Sequence, residues 1–202
     1  QENFATMPST GYAKLTDNIT VTAPYSSTYT GIFDGDGHTI TFNYVGTSNE
    51  NVGVFAKTGS GAVIKNVEVV ADVKSSAFGL SYGIGGLVGA VLYDTELLNC
   101  GVSGSVESTT TKTGSSNVAK VGGLVGLVMQ KLTLEGCYSA ASITSKSKGS
   151  SSAAGGLVGG VGSSARIIDA KNCYAVGTVT AQSCAGGFIG YLNSGSSAAH
   201  TY

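Results

Sequence analysis

"GGLVG" at residues 85–89, repeated at 122–126 and 155–159, is the stretch that decides the fold of this chain. A variant, "GGFIG", follows at 186–190, and a degenerate copy, "VGVFA", stands at 52–56. Counted from the second residue of each copy, the steps are 33, 37, 33 and 31 residues. A period of this length is typical of solenoids, in which each repeat is one coil stacked on the previous coil.

A second element follows each of the first four copies. It reads "NVEVVADV" at 66–73, "NCGVSGSV" at 99–106, "GCYSAASI" at 136–143 and "NCYAVGTV" at 172–179. It begins 13 residues after the glycine in three copies and 16 residues after it in the fourth. Alternate positions are small or apolar and the positions between them are more polar, and this period of two predicts a β-strand with one buried face.

Copies of one strand at this spacing can stack in register, about 4.8 Å apart, as a parallel sheet along the solenoid axis. We therefore expect two interior ladders. One comprises Val67, Cys100, Cys137 and Cys173. The other comprises Val73, Val106, Ile143 and Val179. The adjacent apolar residues of "GGLVG" suit a strand covered on both faces or a corner, and its glycines suit a tight turn or a close backbone approach.

Composition excludes several classes of protein. The 202 residues are 42% hydrophobic and 11% charged, with a net charge of −1. This is too apolar for a disordered chain, and it carries no basic patch for nucleic acid. No apolar run reaches the roughly 18 residues of a membrane span. The chain starts at Gln1 without a signal peptide, so we expect an exported protein whose targeting segment has been removed, and part of a larger polypeptide.

The repeat resembles the GLUG motif, named for its G-L-[any]-G core. "GGLVG" followed by a strand such as "NCYAVGTV" at 172–179 carries the resemblance, which covers roughly residues 50–192. GLUG repeats occur in bacterial surface and secreted proteins, including adhesin-like proteins and the non-catalytic regions of M26-type IgA-specific metalloendopeptidases. The zinc protease activity of that family does not carry over, because it needs H-E-x-x-H and this chain has only His38 and His200.

The resemblance and the repeats together predict an all-β, right-handed parallel β-helix (β-solenoid) of about four to five coils with an irregular N-terminal capping coil. We expect one domain over residues 1–202, with a cap or first coil at 1–50, GLUG-type repeats at 51–192 and a tail or truncated coil at 193–202. Ser/Thr/Lys-rich segments at 107–120 and 144–154 are predicted to be loops that leave one coil position.

"GIFDGDGHTI" at 31–40 invites a calcium-site interpretation. Counted from Asp34, however, the fifth position of a calcium loop is His38 and the twelfth is Val45, where an oxygen ligand and a bidentate Glu are needed. We therefore favour a turn between strands near 28–33 and 38–44.

The cysteines admit two interpretations. Cys100, Cys137 and Cys173 share one repeat position and Cys184 stands apart. No C-x2-C spacing indicates zinc. Stacked neighbours could reach disulfide distance, which export would favour, but Val67 takes the same position in the first copy. We favour reduced thiols that act as small core residues.

Tyr138 and Tyr174 follow two of these cysteines at equal positions, so their rings should point outward and stack. Exposed rings could bind sugars, while the alternative, which we favour, is cross-strand packing.

Catalysis is not expected from the charged residues. Eleven of the 12 acids are spread along the chain after the N-terminus: Asp17, Asp34, Asp36, Glu50, Glu68, Asp72, Asp94, Glu96, Glu107, Glu135 and Asp169. Glu68 and Asp72 are the one pair four apart in a strand element, and the sole arginine is Arg166. We expect no catalytic, cofactor-binding or metal-binding residues and no enzyme activity.

The sequence therefore predicts a non-catalytic bacterial cell-surface or secreted repeat module. Its loops and outer faces would serve adhesion or ligand display toward a host or cell-surface glycan or protein, with no nucleic-acid partner and no membrane span. A structural spacer or stalk is the alternative, followed by a carbohydrate-active β-helix enzyme, since fold alone does not settle function.

Overall fold

The fold is a stack of parallel β-sheets wound into a solenoid of about five turns. The computed structural model describes residues 4–115, 118–162 and 167–201, which form 23 β-strands and one 3₁₀ turn at Phe4–Thr6. In this part of the chain, no helix has the length and apolar character needed to cross a membrane. The predicted all-β solenoid is confirmed, and its right-handed winding stays a prediction.

The strands are as follows, in chain order. The first coils contain β1 (Tyr12–Lys14), β2 (Ile19–Val21), β3 (Tyr25–Tyr29), β4 (Ile32–Asp34), β5 (Thr39–Gly46) and β6 (Phe55–Thr58). The middle coils contain β7 (Ala62–Ser75), β8 (Gly83–Gly85), β9 (Val88–Val91), β10 (Thr95–Ser108), β11 (Lys120–Gly122) and β12 (Val125–Val128). The last coils contain β13 (Lys131–Glu135), β14 (Tyr138–Ser139), β15 (Ser142–Ser145), β16 (Ala153–Gly155), β17 (Val158–Val161), β18 (Ile167–Lys171), β19 (Tyr174–Ala175), β20 (Val179–Ala181), β21 (Cys184–Gly186), β22 (Ile189–Tyr191) and β23 (Ser197–Thr201).

These strands form four sides of the solenoid. The first side has the order β1-β4-β7-β10-β13-β18-β23, and the second side contains β2, β5, the later halves of β7 and β10, and then β14, β15, β19 and β20. The third side has the order β3-β6-β9-β12-β17-β22 and the fourth β8-β11-β16-β21. Each pairing between named strands is parallel, so equivalent residues of successive coils lie beside each other.

A corner separates the first side from the second. At this corner Asn66, Asn99, Gly136 and Asn172 have φ angles of 53°, 52°, 63° and 53°. Asparagine and glycine are the residues that tolerate this left-handed conformation. The Asn99 side-chain amide also donates to Asn66 Oδ1 at 3.3 Å.

The predicted strand starts at 66, 99, 136 and 172 are therefore wrong in one respect: these residues are corners. The alternating residues before each of them build a further strand on the first side, as in Thr95–Leu98 and in β13. This strand could not be predicted from the repeats, because its sequence varies from coil to coil.

The two predicted interior ladders are confirmed by the strand register. Cys100 pairs with Val67, and Ile143 pairs with both Val106 and Val179. All the ladder residues are buried except Val179, which is half-buried in the last coil. Gly104, which the predicted pattern places inward, is exposed and has a φ of 91°.

The "GGLVG" copies form the sharp connection between the fourth and third sides. The register aligns Gly85, Gly122, Gly155 and Gly186 in one row. A Cβ added to Gly85 would lie 2.2 Å from the Val88 carbonyl oxygen and 2.8 Å from Gly126 N. Close backbone approach is thus the reason for glycine here, and Leu87 between the two strands is fully buried.

Aromatic rings fill the N-terminal end of the solenoid. The cluster comprises Phe4, Tyr25, Tyr29, Phe33 and Phe55, with neighbouring ring centroids 5.0 to 6.1 Å apart. Phe4 belongs to the 3₁₀ turn, and the register of β3 shifts between Tyr25 and Thr28. The first coil is therefore irregular, while the predicted domain boundaries at 50 and 192 stay predictions.

The corner residue Asn99 provides a test of this architecture. Asn99→Ala should lower the free energy of unfolding by about 1–2 kcal/mol, because the left-handed conformation is unfavourable for alanine. Asn99→Gly should cost less, since Gly136 holds the same position with a φ of 63°. Chemical denaturation followed by circular dichroism measures both variants. Equal stability of the two variants would contradict the corner assignment.

Candidate functional site

The Asp34 carboxylate organises the "DGDG" segment at 34–37. Its Oδ1 accepts from Asp36 N and from Asn66 Nδ2, each at 3.0 Å. Its Oδ2 accepts from Tyr12 Oη at 3.1 Å and pairs with Lys65 Nζ at 3.2 Å. Burial opposes the charge, but the hydrogen bonds from Asn66, Asp36 N and Lys65 outweigh it and lower the pKa of Asp34 to about 2.

The predicted turn is confirmed at Asp36–Gly37, where His38 N donates to Gly35 O at 2.8 Å. Donors from the protein occupy both oxygens of Asp34, and Asp36 pairs with Lys14 at 2.8 Å. The segment therefore serves the fold. The predicted strand at 28–33 is wrong in its extent, because the chain leaves the third side at Tyr29 and enters the first side at Ile32.

The ladder cysteines are core residues, as predicted. Cys100, Cys137 and Cys173 are at most 2% exposed, and all four cysteines are free thiols. Cys137 Sγ donates to Leu97 O at 3.2 Å. The hydrogen bond with Cys100 raises the pKa of Cys137 to about 12, with burial adding to it, and the hydrogen bond with Cys137 raises the pKa of Cys173.

Lys120 is a buried cation that the sequence reasoning missed. Its residue is 4% exposed, its Nζ donates to Ser151 O, and it lies 3.6 Å from the ring centroid of Tyr191. Burial lowers the pKa of Lys120 to about 8. The period-two pattern around "AKVGG" at 119–123 gives no warning, since a lysine at such a position is ordinarily exposed.

Loops on one edge of the solenoid stack on one another. We call the segments 76–82, 109–119 and 146–152 the loop ridge, of which residues 116–117 lie outside the described residues. Gly79 N donates to Val118 O at 2.8 Å, and Lys148 N donates to Lys112 O at 3.0 Å. The predicted loops at 107–120 and 144–154 are thus present at one coil position, but strands β10, β11, β15 and β16 occupy their ends.

The ridge has its own buried interior and an exposed crest. Ser147 and Ser152 are fully buried and share a hydrogen bond of 2.6 Å between their hydroxyls. Leu80 is 59% exposed, and Lys112 and Lys148 are also exposed. The crest therefore presents an apolar side chain and cations that the core does not require.

Tyr138 and Tyr174 stack on the outer face of the second side, as predicted. Their ring centroids are 5.4 Å apart and their planes differ by 10°. Tyr138 Oη donates to Glu68 Oε2 at 2.6 Å, and this bond, with burial, raises the pKa of Tyr138 to about 12. Glu68, one of the two acids four apart in a strand element, thus positions an aromatic ring.

Other outward acids lie close to lysines. Asp72 lies 3.6 Å from Lys74, and Asp169 lies 3.5 Å from Lys131. Arg166 lies outside the described residues. Within the described ranges, no group of three or more His, Cys, Asp or Glu side chains is placed to hold a metal ion.

Clefts on the described surface include one at the N-terminal end and one on the first side. A cleft of about 770 Å³ lies at the N-terminal end between the 3₁₀ turn and the strands β1 and β2, and Leu15 and Phe33 are among its apolar lining residues. A smaller cleft of about 280 Å³ lies on the first side beside Glu135, Asp169 and Lys171. Phe33, which lines the larger cleft, also belongs to the core.

Thiol reactivity tests the cysteine assignment. At pH 8 we expect one thiol, the half-buried Cys184, to react rapidly with Ellman's reagent, because the thiolate is the nucleophile, the ladder thiols are buried, and the pKa values of Cys137 and Cys173 are raised. Cys184→Ala should abolish the rapid phase. All four thiols should react in guanidinium without reductant. Fewer than four would reveal a disulfide and contradict the free-thiol assignment.

Lys120→Met should stabilise the protein at pH 7, because the folded state there buries a charged amine that pairs with no carboxylate among the described residues. A pKa lowered from 10.5 to about 8 means that the cost is full below pH 8 and disappears as pH rises toward 10.5. The advantage of the variant, a few kcal/mol at about 1.4 kcal/mol per pKa unit, should therefore shrink above pH 8. Denaturation from pH 6 to 10 measures it. Lys131→Met, at an exposed site, should show no such pH-dependent gain.

Comparison with known proteins finds a family model that matches the repeat and a solved structure with a similar fold. The family model described as the GLUG motif matches residues 81–107, which run from the loop before β8 through most of β10. No curated protein matches the chain in sequence. The structure is similar to that of a candidate immunoglobulin A1 protease from Bacteroides ovatus, with a TM-score of 0.64 and 18% identity. The match covers 96% of this chain and 68% of that chain, and at this identity it shows a shared fold.

The register extends the motif beyond the matched residues. Gly122, Gly155 and Gly186 occupy the position of Gly85 in the following coils, with the same connection between the fourth and third sides. The resemblance stated from the sequence is confirmed: the chain is a parallel β-solenoid that carries the GLUG motif.

Proposed function

We propose that this chain is a non-catalytic repeat module of an exported bacterial surface protein, and that it serves adhesion or ligand display. The loop ridge is the observation that carries the proposal. Segments of different length leave the same coil position, stack by backbone hydrogen bonds such as Lys148 N to Lys112 O, and present an exposed crest. A rigid scaffold with loops that vary in sequence is the arrangement that many binding proteins use.

The comparisons support a surface-protein context. The chain carries the GLUG motif, and the resemblance to GLUG repeat proteins implies a secreted or surface protein. The similar structure is described as an immunoglobulin A1 protease candidate. The residues of this chain do not supply the zinc chemistry of such a protease, because His38 and His200 are its two histidines and neither belongs to an H-E-x-x-H motif. We therefore assign the module a contact role within a larger polypeptide.

The surface chemistry favours glycan or protein ligands on the host or on another cell. A net charge of −1 gives no attraction to nucleic acid or to anionic lipid. Exposed apolar side chains such as Leu80, Tyr174 and Val176 are 54% to 70% exposed and offer contact area without charge. These features suit recognition by shape and hydrogen bonding.

A spacer function is the second candidate. The parallel pairing of the first side runs through seven strands without a break, which favours a stiff rod that holds another domain at a distance. Catalysis ranks below both, because the acids beside the smaller cleft, Glu135 and Asp169, are each 3.5 Å from a lysine.

A binding screen of the 202-residue chain on arrays of host glycans and matrix proteins tests the proposal. We expect saturable binding to at least one array component. The ridge variant combines Leu80→Ser, Lys112→Ala and Lys148→Ala and should lose binding at least tenfold if the ridge is the site. The matched control, Ile32→Ser with Lys14→Ala and Lys131→Ala, changes equivalent side chains on the first side.

The outcomes separate the candidates. Loss of binding in the ridge variant but not in the control supports display through the loops. Equal binding of both variants would assign adhesion to another face. Absence of binding to any component would contradict the adhesive proposal and favour the spacer. Thermal unfolding of each variant confirms that the fold is retained.

A further inference from the structure

The loop ridge concentrates positive charge. Its three segments contain Lys112, Lys146 and Lys148 and no aspartate or glutamate. Because the whole chain has a net charge of −1, the residues outside the ridge are net negative. Lys146 pairs with Glu107, at the end of β10, whereas Lys112 and Lys148 are exposed and form no ion pair with a carboxylate of the described residues. The crest therefore carries two cations whose charge the described part of the chain leaves uncompensated.

These two cations belong to neighbouring coils and lie close together. Lys148 N donates to Lys112 O at 3.0 Å, and Lys148 forms a parallel bridge with Thr113. Like charges at such short range repel each other. On the first side, by contrast, neighbouring coils place a lysine beside an acid, as in the pair of Lys65 with Asp34 at 3.2 Å. An anion supplied from outside would relieve the repulsion between Lys112 and Lys148.

Coils of this chain flank the ridge on both sides. The Lys112 ammonium lies 4.7 Å from the centroid of the Phe78 ring, and Phe78 N donates to Asn49 Oδ1 of the preceding coil at 3.2 Å. On the other flank, Ser183 Oγ donates to Ser150 O at 3.1 Å. The exposure of the crest is thus a property of the middle of the solenoid and does not depend on its ends.

Hydroxyl groups surround the cations. Of the 25 residues of the ridge, 12 are serine or threonine, and Thr111, Ser115 and Ser150 are among the exposed ones. A hydroxyl can donate and accept, so these side chains can bond to the hydroxyls of a sugar. The lysine ammonium donates up to three hydrogen bonds, which are strongest to charged acceptors such as sulfate or carboxylate oxygens.

We propose that the loop ridge binds an acidic glycan. Its sulfate or carboxylate group accepts hydrogen bonds from the ammonium groups of Lys112 and Lys148, and its ring hydroxyls bond to the serine and threonine side chains beside them. This inference rests on the proposed adhesive function and names the ligand class of the loop ridge.

The structure argues against other occupants. An acidic peptide that adds as a strand needs free backbone groups, but the ridge segments use theirs to bond to one another, as in Gly79 N to Val118 O at 2.8 Å. A single-stranded nucleic acid needs an open ring on which a base can stack, whereas Lys112 already covers the half-buried Phe78 ring. A neutral sugar would leave both cations uncompensated.

Calorimetric titration with three hexasaccharides tests the inference. Heparin carries sulfate and carboxylate groups, hyaluronan carries carboxylate groups alone, and chitin hexasaccharide is neutral. We expect saturable binding of heparin and none of chitin hexasaccharide. Binding of hyaluronan as well would show that a carboxylate suffices, and its absence would identify sulfate as the recognised group. The affinity should fall about threefold or more as sodium chloride rises from about 50 to about 200 mM, because salt screens exposed charges.

Charge variants locate the site. Lys112→Gln with Lys148→Gln should weaken binding about tenfold, because both charge-assisted contacts are lost. Lys112→Arg with Lys148→Arg keeps both charges and should bind within about threefold of the native chain. The matched control, Lys14→Gln with Lys131→Gln, removes the same charge from the first side and should bind as the native chain does. A loss confined to the ridge variant therefore cannot come from net charge.

The outcomes distinguish this inference from the proposed function. Equal binding by the ridge variant and the control would overturn the assignment to the ridge. Absence of binding to both acidic hexasaccharides would overturn the ligand class, and so would equally tight binding of a polyglutamate peptide or an oligothymidylate. In either case, saturable binding in the array screen would leave the adhesive function standing, whereas failure in both assays would remove both proposals. Because Lys112 and Lys148 are exposed, their variants should retain the native unfolding transition.

Discussion

The in-register stacking of parallel strands is the constraint on which the rest of this structure depends. Every inward side chain meets its own equivalent about 4.8 Å away in the next coil, so a position must hold residues that pack on residues like themselves. The Val67, Cys100, Cys137 and Cys173 ladder satisfies this rule with small side chains. At outward positions, equal charges in successive coils would repel each other. Neighbouring coils instead pair Lys65 with Asp34 and Lys171 with Glu135.

This constraint explains how much of the fold could be predicted from the sequence. Stacking makes equivalent residues visible as repeats, so the ladders, the common origin of the loops and the stacked tyrosines could be predicted. The strand on the first side could not be predicted from the repeats, because its copies, such as Thr95–Leu98 and β13, share only the alternation of buried and exposed residues. Asn99 recurs in the sequence repeat, but its position at a corner depends on a φ of 52°, which the sequence pattern does not reveal. Lys120 was missed because its burial is a tertiary property of the tightly apposed third and fourth sides.

The same constraint determines where variation is tolerated, and therefore where function can lie. The core and the corners must repeat, whereas the loop ridge leaves the register and the outer faces meet only solvent. Gly101 shows how one residue can change an outer face. Because Gly101 has no side chain, Tyr138 leans over it and contacts Glu68, which lies two coils away. A fold with repetitive interior rules can thus carry surfaces that differ from coil to coil.

The direction of the backbone hydrogen bonds has a mechanical consequence. Bonds such as Leu124 N to Leu157 O at 2.9 Å join one coil to the next, so they lie along the axis of the rod. A pull between the two ends would open them in sequence, one coil peeling from its neighbour, instead of breaking all of them at once. Each released coil of about 33 residues would lengthen the chain by roughly 110 Å. Under flow or shear the solenoid would behave as an extensible tether, yielding stepwise and dissipating the load while the remaining coils stay folded.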